Sequence, residues 1–285
     1  MPSVAIAALG AIAGLTIFFG LPFGRLKSKG VRLKAALNAI AIGILIFLLW
    51  DVLSQAWEPV DAALHAHLIG TALVNGVLMM ACMGLGLLGL VYTDRRMRGR
   101  IVATRPAEAP VPAPVGGSGV STATLTAVAP VFGTVTDARR LALTIAIGIG
   151  LHNFAEGLAI GASAAQGQLA FAVLLVIGFG LHNMTEGFGI VAPLAGTRPS
   201  WRYLALLGLI GGAPTFVGTI VGQAFTNDLM SVAFLGLASG SILYVVIELL
   251  AVSRRVGTPH LTAWFILAGI TAGFLTDAIV TAAGA

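Results

Sequence analysis

Charge is the scarcest commodity in this chain. Of 285 residues, 9% are charged and 58% are hydrophobic, where ordinary soluble domains carry roughly 25% charged residues. A soluble fold could not bury that much apolar surface and still present a charged exterior. Soluble enzymes, disordered chains and free nucleic-acid binders are thereby excluded. Cysteine is almost missing too: Cys82, within an apolar run, stands alone, which excludes a disulfide framework and a cysteine-based metal site. No stretch alternates apolar and polar residues as a membrane-barrel strand would. The first apolar run has no Lys or Arg before it and no A-x-A cleavage site after it. It is therefore expected to be a retained helix rather than a signal peptide.

What remains is long apolar runs. A membrane helix needs about 20 mostly apolar residues, and such runs lie near 2–22, 34–56, 67–92, 139–165, 168–192, 202–226, 229–252 and 261–284. The expected fold is all-α, a polytopic membrane protein with eight transmembrane helices, here called spans 1–8. The 37 glycines suit membrane helices that pack closely.

The net charge of +5 and a pI near 10.0 take their meaning from placement. Arg25, Lys27, Lys29, Arg32 and Lys34 join spans 1 and 2, and Arg95, Arg96, Arg98, Arg100, Arg105, Arg139 and Arg140 join spans 3 and 4. Arg198 and Arg202 join spans 5 and 6, and Arg254 and Arg255 join spans 7 and 8. All sixteen basic residues thus fall in alternate connections, whereas the other side holds Glu58, Asp61 and Asp228 with no basic residue. The positive-inside rule makes the basic side cytoplasmic and both termini external. The expected location is the cell (plasma) membrane, with no nucleic-acid partner.

Residues 1–92 carry spans 1–3, and 139–285 carry spans 4–8. Between them, 93–138 includes Ala-Glu-Ala-Pro-Val-Pro-Ala-Pro and Gly-Gly-Ser-Gly, a composition that reads as a flexible cytoplasmic loop. His65 and His67 form an H-x-H pair in the outer loop before span 3. They could collect a metal ion, but two loop histidines are more often plain polar residues.

Internal repetition is the most informative feature. Span 4 contains Gly148-Ile149-Gly150-Leu151-His152-Asn153-Phe154-Ala155-Glu156-Gly157, and span 5 contains Gly178-Phe179-Gly180-Leu181-His182-Asn183-Met184-Thr185-Glu186-Gly187. Both read G-x-G-L-H-N-x-x-E-G. In antiparallel helices such motifs suggest an inverted repeat around spans 4 and 5, with a site near the membrane midplane. His and Glu at i and i+4 share a helical face, so two opposed faces supply two imidazoles and two carboxylates around one point. Mixed nitrogen and oxygen ligation suits Zn²⁺ and other first-row divalent ions, and Asn153 and Asn183 can add carbonyl oxygens. An ionised side chain at the bilayer centre costs roughly 2.5–3.5 kcal/mol even on lenient scales, so Glu156 and Glu186 require compensation. The plainer alternative is polar glue, His152 bonding Glu186 or His182 bonding Glu156. Asn183-Met184-Thr185 also matches a glycosylation sequon, which membrane depth makes inaccessible.

His-Asn-x-x-Glu-Gly in the fourth of eight helices, with a related motif in the fifth, resembles the ZIP (ZRT/IRT-like) divalent-metal transporters. That family has eight helices, outward termini and a variable cytoplasmic loop between helices 3 and 4. The resemblance implies that His152, Glu156, His182 and Glu186 form the primary transport site, with Asn153 and Asn183 in an adjacent second site. It implies a cargo of Zn²⁺, or Fe²⁺, Mn²⁺, Co²⁺, Ni²⁺ or Cd²⁺, moved toward the cytoplasm, and no cofactor. Three departures stand out. Ala155 and Thr185 occupy positions where the family commonly has Pro before the motif glutamate. Span 6 reads Gly211-Gly212-Ala213-Pro214 where the family usually has a glutamate followed by Pro, and it contains no acid, which puts a binuclear centre in doubt. The loop lacks histidines.

Other intramembrane acids are pathway candidates: Glu248 toward the inner end of span 7 as an exit, Asp277 in the outer part of span 8, and Asp51 near the outer end of span 2 as an entrance. For each the alternative is a carboxylate reaching the interface or capping a neighbouring helix. Met79, Met80 and Met83 read as helical core rather than soft-metal ligands. Two other functions compete with metal transport, an integral-membrane metalloenzyme and a proton-coupled carrier of an organic solute. No H-E-x-x-H pattern occurs, and no third cluster supplies a general base. The expected partners are the divalent ion and the lipid bilayer, with a homodimer left open.

Overall fold

The computed structural model describes residues 3–25, 31–103, 134–224 and 227–282, and every regular element among them is helical. Eight helices are long and apolar enough to cross a membrane: Ser3–Arg25, Arg32–His65, Ile69–Met97, Val135–Ala165, Leu169–Leu194, Trp201–Gly222, Leu229–Val256 and Pro259–Ile279. These are spans 1–8 in order. Lys27, Lys29, Arg105 and positions 104–133 of the expected loop lie outside the described residues.

Helical structure runs past the apolar edges expected from the sequence. Span 2 continues through Pro59 to His65, so His65 sits on a helix end and not in a loop as expected. Span 3 continues as helix to Ala103, because its arginine-rich end is made of good helix formers. Span 4 starts at Val135 behind a capping box, in which Thr134 and Asp137 satisfy each other's backbone N–H.

Burial ranks the spans. About two-thirds of the apolar window of span 4 is buried (67%), against 22% for span 3 and 11% for span 8. Span 4 is therefore central, and spans 3 and 8 present their apolar side chains outward. Lipid gives helices no hydrophobic reason to associate, so close backbone contact must hold them. Span 4 packs most extensively on span 6. A Cβ on Gly157 would strike the Thr215 carbonyl, and one on Gly218 would strike the Phe154 carbonyl. Span 5 meets span 1 the same way, Gly187 lying against Ile17 and Gly20. Around this nucleus span 3 packs on span 7 and span 2 on span 8.

The two helices that receive the motifs are both irregular. Span 1 breaks at Thr16, between helices Ser3–Leu15 and Ile17–Gly20, and ends in a 3₁₀ turn over Leu21–Arg25. The Thr16 hydroxyl donates to the Ala13 carbonyl at 2.7 Å, a local bond that bends helices. Span 6 contains Pro214, whose missing N–H frees a carbonyl one turn earlier.

Basic residues stitch one face of the bundle. Arg25 donates to the Pro199 carbonyl and lies 4.8 Å over the Trp201 ring. Arg139 lies 4.3 Å over Tyr203, whose hydroxyl donates back to the Arg139 carbonyl at 2.6 Å. Arg140 forms a buried ion pair with Asp94, joining spans 3 and 4.

The glycine contacts generate a paired test. Gly218→Leu forces apart two backbones, and overpacking of this kind costs about 1–3 kcal/mol or more. Its melting temperature in detergent is expected to fall by several degrees. Gly76→Leu, where an added Cβ meets nothing within 4 Å, is expected to melt within about a degree of the parent.

Candidate functional site

The His, Asn and Glu side chains of the repeated motif are all buried. His152, Asn153, Glu156, Asn183 and Glu186 are all under 5% exposed, and His182 is 7% exposed. Helical spacing puts each His and Glu on one face, and the crossing of spans 4 and 5 brings the two faces together. His152 Nε2 stands 3.1 Å from Glu156 Oε1 and 3.7 Å from Glu186 Oε1. One imidazole is thus flanked by the carboxylates of both helices. The contact foreseen as glue between His152 and Glu186 is present, but neither approach has hydrogen-bond geometry. His182 is set apart from this trio, its ring centroid 6.3 Å from that of Phe47.

The asparagines are held from behind. Asn153 Nδ2 donates to the Gly211 carbonyl of span 6 at 2.9 Å, and Asn183 Nδ2 to the Ala13 carbonyl of span 1 at 3.0 Å. Each amide is anchored to the irregular helix that its motif faces, which leaves its carbonyl oxygen free. Both ring nitrogens of His152 and His182, both carboxylate oxygens of Glu156 and Glu186, and Oδ1 of Asn153 and Asn183 are buried without a hydrogen-bond partner. Ten such atoms on six neighbouring side chains are far outside ordinary packing, where buried polar atoms are nearly always paired. Among the described residues, no three His, Cys, Asp or Glu side chains converge as a ready ligand shell.

In the family resemblance two motif positions commonly hold proline, and here both spans run through them as unbroken helix. At one of these positions the Thr185 hydroxyl donates to the His182 carbonyl at 2.7 Å.

Above the motif, on the side away from the basic residues, lies a cavity of about 370 Å³. Asp51, Gln55, Ser163, Thr276 and Asp277 line it, and His182 lies at its inner end. Asp51 and Asp277 thus share one space. Gln55, which donates to Asp51 at 3.0 Å, and Ser163 were missed from the sequence. Their signal was positional, since Gln55 follows Asp51 and Ser163 follows Glu156 at helical spacing. Glu248 lies elsewhere, in a cavity of about 340 Å³ on the basic face with Asp94, Arg95 and Tyr244.

His65 and His67 are exposed and belong to no metal-binding group among the described residues. His65 Nδ1 instead sits 2.9 Å from the Asp61 carbonyl oxygen. Met79 is buried in an apolar cluster with Ala56 and Val232, as core.

Eight apolar spans around a buried, duplicated set of imidazoles and carboxylates form the framework of a membrane transporter. The profile of the ZIP Zinc transporter family matches residues 133–276, half of the chain. The chain belongs to that family, and is accordingly a divalent-metal transporter and not an enzyme. A sequence comparison with curated proteins finds no match.

The cavity predicts one-sided access to water. In a Cys82→Ser background, cysteines at Ser163 and Thr276 are expected to react with a membrane-impermeant thiol reagent added from the cavity side. A cysteine at Ile190, fully buried beyond the motif, is expected to stay unlabelled, as mass spectrometry would report.

Proposed function

We propose that the cargo is a divalent transition-metal ion, Zn²⁺ foremost, bound between spans 4 and 5 by His152, Glu156, His182 and Glu186. The carbonyl oxygens of Asn153 and Asn183 stand beside them. The observation that carries this reading is the set of ten buried polar atoms without partners, all on the repeated motif. Two carboxylates in a low-dielectric interior are costly unless charge compensates them, and one divalent cation supplies two positive charges. Imidazole and carboxylate suit Zn²⁺, while also admitting Fe²⁺, Co²⁺, Ni²⁺ and Mn²⁺.

The route runs from the cavity toward the basic face, which the positive-inside rule makes cytoplasmic. The ion enters between Asp51 and Asp277, passes His182, and draws Glu156 and Glu186 away from His152. Glu248 marks the way out. Because His152 stands beside both glutamates, imidazole and ion compete for the same carboxylates, and the site need not bind too tightly for transport. The motif of span 4 packs on span 6 and that of span 5 on span 1, each through a glycine and an asparagine. That correspondence supports an inverted repeat and alternating access around a central site.

Uptake of radioactive Zn²⁺ into proteoliposomes tests the assignment. Even outer-shell partners of a metal site are worth about 10–100-fold, so His152→Ala and Glu186→Gln are expected to cut uptake at least about 100-fold. Uptake equal to the parent would reject the site.

A further inference from the structure

Span 6 lacks the acid that the family places before its proline, yet it holds a buried polar atom of its own. Thr215, the residue after Pro214, is fully buried, and its hydroxyl has no hydrogen-bond partner. A threonine in a helix ordinarily satisfies its hydroxyl on the carbonyl three or four residues back. Other buried hydroxyls in this bundle do so: Thr144 donates to the Arg140 carbonyl at 3.1 Å and Thr219 to the Thr215 carbonyl at 2.8 Å.

For Thr215 that acceptor is the Gly211 carbonyl, and the Asn153 amide already occupies it at 2.9 Å. A carbonyl has two lone pairs, and in a regular helix one of them receives the Thr215 N–H. The Asn153 amide and the Thr215 hydroxyl thus call on the same carbonyl, and the hydroxyl is the group left unpaired. The Thr215 side chain lies one turn along the face that Asn153 contacts. On its other side it meets span 1 at Gly14, where an added Cβ would come within 3.2 Å of Thr215 Cβ. Gly14 adjoins Ala13, whose carbonyl holds the Asn183 amide. Thr215 thus lies one helical turn from the carbonyl that holds Asn153 and beside Gly14, the neighbour of the residue that holds Asn183, and each asparagine also has an unpaired carbonyl oxygen.

We infer that the Thr215 hydroxyl is a further oxygen ligand of the transported ion. With Asn153 and Asn183 it forms a neutral-oxygen pole in place of the missing acid, opposite the His and Glu pole. The inference rests on the proposed site in spans 4 and 5. A neutral pole adds no negative charge to that of Glu156 and Glu186, so one divalent ion balances the pocket and a second does not. Hard oxygen donors favour harder cations, so Thr215 weighs more for Mn²⁺ than for Cd²⁺.

The test uses full-length protein in proteoliposomes, with Thr215→Val and Thr215→Ser, and ion titration by calorimetry on the same preparations. Thr215→Val keeps the shape and removes the hydroxyl. It is expected to raise the KM for Zn²⁺ about tenfold, a loss of about 1.4 kcal/mol, and that for Mn²⁺ more than that for Cd²⁺. Thr215→Ser is expected to restore both, and the parent is expected to bind one ion per chain. An unchanged KM for Zn²⁺ and Mn²⁺ in Thr215→Val would overturn the inference, as would Ser failing to rescue or two ions bound per chain. Glu186→Gln separates the two readings. If it abolishes binding while Thr215→Val does nothing, Thr215 alone is dismissed, and if it binds Zn²⁺ normally the underlying site falls.

Discussion

Two carboxylates, placed where water cannot reach them, set the terms for everything around them. Glu156 and Glu186 are buried in the middle of an apolar bundle and lean on a single imidazole. Burying a charge without adequate partners is strongly unfavourable. The surroundings answer this only in part, through the single imidazole of His152. A fold selected for stability alone would do better with leucine at these positions. Retaining the acids fits the ion site proposed for spans 4 and 5.

The rest of the bundle shapes and seals that interior. Glycines let spans 4 and 6 approach backbone to backbone, which removes the room that water would need between them. Carbonyls of span 1, just before its break, and of span 6, close to Pro214, hold the asparagine amides. Cations on the opposite face lie over Trp201 and Tyr203, so charge that would otherwise oppose membrane insertion becomes a fastening between helix ends.

The number of spans and the existence of a repeated polar motif were legible in the sequence, because both depend on local periodicity. Apolar runs of spanning length and the basic residues in alternate connections led to eight helices, and eight are present among the described residues. Helix ends were less legible. Span 2 reads through Pro59 to His65, since arrest by proline is a tendency that neighbouring packing can override. The motif residues were legible as a group, but their mutual arrangement was not. Spacing along each helix puts His152 with Glu156, whereas the rotation of span 5 decides that Glu186 joins them and His182 does not. The role of Gln55 and Ser163 in the outer cavity depends on how spans 2, 4, 5 and 8 lean together, which no single helix encodes. Thr215 was invisible for the same reason: whether its buried hydroxyl finds a partner depends on what other helices place beside it.

The glycine seam between spans 4 and 6 has a mechanical consequence. Side chains that interlock can slip from one rotamer to the next and let two helices slide, but two backbones in direct contact have no such play. Spans 4 and 6 therefore behave as one lever, and any stroke that carries the motif of span 4 through the membrane carries span 6 with it. Compliance has to lie elsewhere, where a side chain fills the contact, as Val245 of span 7 does against Gly148 of span 4.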